Sequence, residues 1–187
     1  MRHLKAVVLT TAIAATSISE AAPPSNICER QLAAAAAHEN VPLGVLYAVG
    51  MTESGNKGSL HPYALNIAGK TVFAKSQAEA LATFERARNK GIKLIDLGCM
   101  QVNHHYHGKN FTSPLAMLDP EANVAYAAKF LKELRDSEGS WTMAVARYHA
   151  GPDNNPAQKR YICAVITNLV ATGFGAWTPE AKSFCRK

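Results

Sequence analysis

A short apolar segment with a carboxylate near its end constrains the fold of this chain more than any other feature. Residues 42–54 (PLGVLYAVGMTES) carry no charged side chain except Glu53. Pro42 is typical of the first helical position, and Gly55 is typical of the left-handed residue that ends a helix, so the segment is predicted to be helical. At ~100° per residue Glu53 falls near the line of Leu46 on the apolar face, and its carboxyl is expected to point inward.

An inward-pointing Glu53 has a chemical consequence. Burial removes the water that favours the ionised form, and the negative end of the helix dipole lies nearby. A carboxylic acid that keeps its proton can donate it to a leaving-group oxygen, as glycosidases do. This segment alone leaves open the alternative of a frayed helix end with Glu53 in solvent.

Residues 1–21 have the pattern of a secretory signal peptide. Basic Arg2 and Lys5 precede an apolar run over residues 6–18, and small residues follow at the position of a signal-peptidase site. The run is too short to anchor the chain, and no later segment has the ~18 uninterrupted apolar residues of a membrane-spanning helix. The sequence therefore predicts a periplasmic or secreted protein without a membrane anchor, with residues 22–187 as a single domain.

The net charge indicates the type of binding partner, and the cysteines indicate disulfides. A net charge of +6 at pH 7 suits an anionic polymer such as a cell wall, whereas the scatter of basic residues argues against a nucleic-acid-binding arm. Four cysteines in an exported chain favour disulfides, with three possible pairings. The four are Cys28, Cys99, Cys163 and Cys185. We interpret His104, His105 and His107 as solvated or sugar-stacking residues, and predict no metal and no other cofactor.

Capping signals and apolar spacing predict a mainly helical domain with a small β-hairpin. Helices are expected over residues 27–38, 76–90, 119–134, 141–149 and 156–172. The hairpin is expected over residues 63–67 and 70–73, with a short strand over 92–97. No repeat or low-complexity linker interrupts this pattern, which favours one compact α-rich domain.

Three short motifs resemble those of a known family. They are Glu53-Ser54-Gly55 at a helix end, residues 98–103 (GCMQVN) and residues 147–151 (RYHAG). In this order they resemble the ES, GLMQ and AYN motifs of the lytic transglycosylases of the soluble, lysozyme-like type. The resemblance covers roughly residues 26–170. The hairpin before the second motif resembles that of small members linked to secretion, conjugation or pilus systems.

The resemblance implies a lysozyme-like (goose-type-like) α+β fold and a substrate, the glycan strands of peptidoglycan. Such enzymes cleave the β-1,4 bond between N-acetylmuramic acid and N-acetylglucosamine and leave a 1,6-anhydromuramoyl end instead of adding water. One glutamate can be the acid toward the glycosidic oxygen and then the base toward the C6 hydroxyl, so a second protein carboxylate is not needed. The implied role is local cell-wall remodelling, with components of a secretion, conjugation or pilus apparatus as candidate partners.

The resemblance also assigns roles to individual residues. Glu53 is expected to be the catalytic acid and base, and Ser54 to orient its carboxyl or the acetamido group of the sugar. Gln101 is expected to contact the sugar at the cleavage point, and Met100 to line the same subsite. Asn103 follows the motif and is expected to extend the groove.

The third motif adds Tyr148, whose hydroxyl is expected near the glutamate or the reacting sugar. Two positions depart from the family pattern. Cys99 stands where leucine is usual, either as a small hydrophobe or as a disulfide anchor for the catalytic loop. His149 stands where asparagine is usual. It remains a candidate substrate-binding residue because it can donate and accept hydrogen bonds.

Two other functions compete with this interpretation. A goose-type lysozyme-like hydrolase needs a second carboxylate to activate water, for which Asp96 is the best candidate and Asp119 the next. A non-catalytic module could instead hold glycan at an envelope-spanning assembly. The intact set of Glu53, Gln101 and Tyr148 argues against such a module.

Overall fold

The computed structural model describes residues 26–151 and 155–186, so the predicted signal peptide over 1–21 lies outside the described residues. The described ranges contain nine α-helices and six short strands. The helices are α1 (Ile27–Glu39), α2 (Leu43–Ser54), α3 (Gln77–Asn89), α4 (His104–His107), α5 (Pro114–Met117), α6 (Pro120–Glu138), α7 (Trp141–Ala150), α8 (Asn155–Ala171) and α9 (Pro179–Arg186). The strands are β1 (Gly55–Asn56), β2 (Ser59–Leu60), β3 (Ala64–Ile67), β4 (Lys70–Phe73), β5 (Ile95–Leu97) and β6 (Val102–Asn103).

Side-chain caps start the long helices where the sequence predicts them. Ser76 accepts a hydrogen bond from the Glu79 amide at the start of α3, and Asp119 accepts one from the Ala122 amide at the start of α6. Helix α6 runs one turn beyond its predicted end because Gly139 is the residue that takes the left-handed conformation, at φ 78°.

The prediction for the two ends of α2 was wrong in detail. Pro42 is the N-cap and not the first helical residue. Gly55 has φ −59° and ψ 126°, which is not the left-handed conformation. A Cβ atom at Gly55 would lie 2.2 Å from the carbonyl oxygen of Met51. Glycine is therefore required here for close backbone approach, and the helix can stop directly after Ser54.

The predicted hairpin forms one side of a four-stranded antiparallel sheet with the order β4-β3-β5-β6, in which β4 is an edge strand. Strands β3 and β4 pair as predicted, from Ala64 opposite Phe73 to Ile67 opposite Lys70. Strand β5 adds to the free edge of β3, and β6 pairs with β5 so that Asp96 faces Asn103 across the ladder. Strand β6 was not predicted, since two residues are too few for an alternating pattern.

The helices pack around α2, whose residues Leu46, Ala48 and Val49 have no solvent exposure. Helix α2 packs against α8 and α1, while α6 lies against α1 and α7. The fold confirms a mainly helical, lysozyme-like α+β class. The single-domain assignment for residues 22–187 stays a prediction. Within the described ranges, no helix combines the length and apolarity needed to cross a membrane.

The four cysteines form two disulfides, which correspond to one of the three possible cysteine pairings. Cys28 is bonded to Cys99, which joins α1 to the loop between β5 and β6. Cys163 is bonded to Cys185, which joins α8 to α9. The first bond makes Cys99 a covalent anchor of the second motif as well as a buried apolar residue.

Candidate active site

A cleft of about 660 Å³ lies between the four-stranded sheet and the helices α4, α6 and α7. Glu53 lines it from the end of α2, and Asp96 and Asn103 line it from the sheet. Gln101 and Tyr148, from the second and third motifs, line the same cleft. The fold therefore brings residues of all three sequence motifs to one concave surface.

Glu53 points into the cleft, and its side chain is 13% exposed. Its Oε1 atom accepts a hydrogen bond of 2.6 Å from the Tyr161 hydroxyl, and Nδ1 of His149 lies 3.7 Å from the same oxygen. The inward orientation that the helical spacing predicts is confirmed, and the solvent-facing alternative is wrong. The contacts described for this carboxyl leave its Oε2 atom for a ligand.

Tyr161 is a site residue that the sequence did not reveal. Tyr161 lies on α8 and is 5% exposed. Burial, and then the charge of Glu53, raise the pKa of Tyr161 well above its ordinary value, so the hydroxyl keeps its proton and serves as a donor. No local pattern indicates this role, because Tyr161 and Glu53 are 108 residues apart in the chain.

His149 lies flat on the ring of Tyr161. The two ring centroids are 4.3 Å apart, with an angle of 3° between the planes. The contact with the Glu53 carboxylate raises the pKa of His149 above its ordinary value, and partial burial opposes this shift. His149 therefore takes up a proton more readily than an ordinary histidine, and Tyr161 contacts both His149 and Glu53.

Asp96 is a second carboxyl in the cleft. Burial raises its pKa to about 6, and the charge of Glu53 adds to the rise, whereas the hydrogen bond from Asn103 and the charge of His149 lower it. Nδ2 of Asn103 donates to Oδ1 of Asp96 at 2.5 Å. Asp119, the other carboxylate considered from the sequence, caps α6 at an exposed position and does not line the cleft.

The second motif forms a tight loop whose backbone is fixed by buried amides. Gly98 and Gln101 have positive φ angles of 82° and 46°. The Gln101 amide donates from Nε2 to the carbonyl oxygens of Ala64 and Gly98, both at 2.9 Å. Since both acceptors are carbonyls, the NH₂ group must face them, and the amide oxygen of Gln101 is the atom left for a ligand in the cleft.

The side chain of Asn123, on α6, forms hydrogen bonds with the backbone of the same loop. It is fully buried, and its Oδ1 atom accepts from the Met100 amide at 2.9 Å. Its Nδ2 atom donates to the carbonyl oxygens of Leu97 and Met117. The three sequence motifs did not identify this bridging role of Asn123.

Three motif residues make contacts that the sequence did not predict. The side chain of Met100 is fully buried against Gly50 and does not line the cleft. The Ser54 hydroxyl is 1% exposed and donates to the Cys99 carbonyl at 2.6 Å, so it holds the loop and does not orient the carboxyl. The Tyr148 hydroxyl donates to the Met100 carbonyl at 2.8 Å, which commits its single proton to the backbone and not to Glu53.

The three neighbouring histidines point in different directions. The His104 ring packs edge-on against Phe84, with 4.7 Å between the ring centroids. His107 contacts the Tyr126 hydroxyl through Nδ1 at 2.7 Å, while His105 is exposed. In the part of the chain that the structure describes, no three His, Cys, Asp or Glu side chains converge on a position suited to a metal ion.

Comparison with known proteins identifies the family. The family model described as "Transglycosylase SLT domain" matches residues 31–165, a segment that includes Glu53, Gln101 and Tyr148. No curated protein and no solved structure matched the chain. The chain belongs to the transglycosylase SLT domain family, the lytic transglycosylases that act on peptidoglycan.

Proposed function

We propose that this protein cleaves the β-1,4 bond between N-acetylmuramic acid and N-acetylglucosamine without water and leaves a 1,6-anhydromuramoyl end. The observation that carries the proposal is the environment of Glu53. Its carboxyl is largely buried in the cleft, one oxygen is held by Tyr161, and the other is available to a substrate. This is the arrangement required of a single group that gives and then retakes one proton.

The reaction balances with Glu53 alone as the proton carrier. Protonated Glu53 donates to the glycosidic oxygen, the bond from that oxygen to C1 breaks, and N-acetylglucosamine leaves as the alcohol. The acetamido group of the muramoyl unit stabilises the cationic C1. The Glu53 carboxylate then removes the proton of the C6 hydroxyl, whose oxygen bonds to C1, and the enzyme regains its starting protonation state.

Neighbouring groups assist this cycle in distinct ways. The Tyr161 hydroxyl donates to Glu53 Oε1 and fixes the plane of the carboxyl. Protonated His149 stabilises the carboxylate that exists between the two proton transfers. The amide oxygen of Gln101 accepts a hydrogen bond from the sugar at the cleavage point, and Asn103 extends the polar side of the groove.

We also propose that the protein is exported by residues 1–21 and remodels the cell wall locally. Two disulfides suit an oxidising compartment, where peptidoglycan is found. Glycan strands are the proposed partner, and components of a secretion, conjugation or pilus apparatus are candidate partners on the resemblance alone.

A hydrolase is the second candidate because Asp96 lies in the same cleft with a pKa of about 6. A carboxylate there could activate a water molecule for attack at C1, as in inverting glycosidases. Hydrolysis gives a reducing end, whereas the transglycosylase reaction gives an anhydro end that is lighter by one water. The mass of the products therefore separates the two reactions.

The test is mass spectrometry of muropeptides released from purified sacculi by the wild type, Glu53→Gln and Asp96→Asn. We expect anhydro-ended fragments from the wild type, none from Glu53→Gln, and anhydro ends still formed by Asp96→Asn. Reducing-end products that depend on Asp96 would establish the hydrolase instead. Release of no fragments by the wild type would favour a glycan-binding module.

A further inference from the structure

A second concave surface lies between the last two helices of the described chain. This groove, which we call the α8–α9 groove, has a volume of about 690 Å³ and shares no lining residue with the cleft. Ala164 and Thr167, two exposed and small residues, line it from α8. Trp177 lines it from the segment before α9, and Lys182 and Arg186 line it from α9. The proposed reaction uses none of these residues.

Helix α9 is held in place without burying its own side chains. It contains no buried residue, and its Phe184 is 44% exposed. The Cys163–Cys185 disulfide ties α9 to α8, and Nζ of Lys159 lies 5.3 Å from the centroid of the Phe184 ring. Most helices are held instead by a buried apolar face. The covalent bond therefore fixes α9 beside α8 while the groove between them stays open.

Positive charge is concentrated on the α9 side of the groove. Lys182 and Arg186 are four residues apart, so they lie on one face of the helix, separated by about 6 Å along its axis. Both side chains are exposed. Among the described residues no acidic side chain lines the groove, since Glu180 of α9 lies outside it. The groove thus combines the aromatic surface of Trp177 with two cations.

We propose that the α8–α9 groove docks an extended acidic segment of a partner protein, with carboxylates on alternate residues and an apolar side chain against Trp177. Alternate residues of an extended chain point to the same side and are about 7 Å apart. This spacing is close to that of Lys182 and Arg186 along α9, so two carboxylates can contact both cations at once. Tryptophan and arginine are also the residue types that contribute most at protein interfaces.

The shape of the groove favours a peptide over a membrane. A bilayer surface is flat, whereas Lys182 and Arg186 line a concave surface together with Trp177. The charge of the groove is complementary to acidic side chains, which would also steer the partner toward it. The inference does not depend on the proposed reaction, because the groove and the cleft have no lining residue in common.

The test measures, by fluorescence anisotropy, the binding of a labelled peptide to the disulfide-bonded protein. The probe is a ten-residue peptide of glycine and serine that carries one phenylalanine and two glutamates at alternate positions. Lys182→Glu combined with Arg186→Glu should lower the affinity by at least about tenfold, because two attractive contacts become repulsive. A probe with glutamines in place of the glutamates should bind the wild type with a similar loss.

The matched control is Lys70→Glu combined with Lys75→Glu, which changes the net charge equally at two exposed positions outside the groove. This protein should bind the probe as the wild type does. Replacing Cys163 and Cys185 together by alanine should lower the affinity, because α9 loses its covalent bond to α8. The release of muropeptides from sacculi should stay unchanged in that variant, which separates docking from catalysis.

Three results would overturn the proposal. The first is no binding of the probe, or an equal loss of affinity in both charge-reversed proteins. The second is binding of vesicles of phosphatidylglycerol and phosphatidylethanolamine, but not of the probe, that is lost with Lys182→Glu and Arg186→Glu, which would make a membrane the occupant. The third is self-association in sedimentation that the same two changes remove, which would make a second copy of this chain the occupant.

Discussion

At the scale of single residues, Glu53 depends on a tyrosine that comes from the far end of the chain. The Tyr161 hydroxyl donates a hydrogen bond of 2.6 Å to Oε1 of Glu53, and the ring of His149 stacks on the tyrosine ring. A hydrogen bond to a charged group contributes about 1.5–3 kcal/mol, so the bond is strong enough to set the orientation of the carboxyl. None of the contacts described for this carboxyl involves Oε2.

We expect Tyr161→Phe to lower kcat/KM by about 10- to 100-fold, because it deletes this bond and keeps the ring. The measurement is the rate of anhydro-muropeptide release from sacculi. Tyr47→Phe is the matched control, since the Tyr47 hydroxyl donates to the carboxylate of Glu29 at 3.1 Å outside the cleft. Equal rates for the two variants would contradict the positioning role of Tyr161.

Asp96 gives a prediction about stability and pH. The unfolded carboxyl loses its proton near its ordinary pKa of 3.8, whereas burial keeps the proton in the folded protein up to about pH 6. The folded state thus binds more protons in this window, and its stability falls as the pH rises through about 6. The difference in pKa between the folded and the unfolded protein corresponds to a change of about 3 kcal/mol in the free energy of unfolding.

Asp96→Asn removes the titration and keeps an acceptor for Asn103. The wild type should lose up to about 3 kcal/mol of stability between pH 3.5 and pH 8 that the variant does not lose. The free energy of unfolding of the variant minus that of the wild type should therefore increase by this amount. Urea denaturation at the two pH values measures this change. If the free energies of unfolding of the variant and the wild type differ by the same amount at both pH values, folding does not raise the pKa of Asp96.

At the scale of elements, the loop of the second motif takes its shape from α6. Asn123 bonds one backbone amide and two carbonyls, those of Met100, Leu97 and Met117. A Cβ atom at Gly98 would lie 2.7 Å from Nδ2 of Asn123, so the loop and the helix fit only with glycine there. The position of Gln101 in the cleft follows from this support.

We expect Asn123→Ala to reduce the free energy of unfolding by about 3 kcal/mol, because three buried backbone groups lose their partners. It should also lower activity, since Gln101 is no longer held. Asn168→Ala is a suitable control because the side chain of Asn168 makes one described hydrogen bond, which is partly buried, to Thr52. Denaturation and sacculus digestion measure both effects, and a loss no larger than that of the control would contradict the bridging role.

At the scale of the whole molecule, the two disulfides restrain different parts. The Cys28–Cys99 bond spans 71 residues and joins the first helix to the second motif, whereas the Cys163–Cys185 bond spans 22 residues near the end of the chain. From the entropy that each bond removes from the unfolded chain, the disulfide of the longer loop stabilises the fold by about 4 kcal/mol and that of the shorter loop by about 3 kcal/mol. Only the first bond holds a loop of the cleft.

Replacing Cys28 and Cys99 together by alanine should therefore destabilise the protein more than the same change at Cys163 and Cys185. It should also be the replacement that lowers activity, because the loop with Gln101 loses an anchor. Thermal unfolding and the release of muropeptides from sacculi measure the two properties. Equal loss of activity in both double variants would show that the anchor does not serve the cleft.

The sequence by itself determined much of the local structure and several of the residues that line the cleft. Capping residues such as Ser76 and Asp119 act on amides three residues away, so helix starts can be read from neighbouring positions. Three motifs were enough to place Glu53, Gln101 and Tyr148 in one site. The four-residue helices and β6 were missed because such short elements depend on their surroundings more than on their own spacing.

The tertiary structure alone decided what each site residue contacts. Ser54 and Tyr148 donate to carbonyl groups of the second motif and Met100 packs against Gly50 of α2, contacts that their motif positions did not indicate. Tyr161 reaches Glu53 across 108 residues of chain. A hydrogen bond depends on distances of about 3 Å and on angle, and side-chain packing between distant segments sets both, so no local pattern in the chain encodes them.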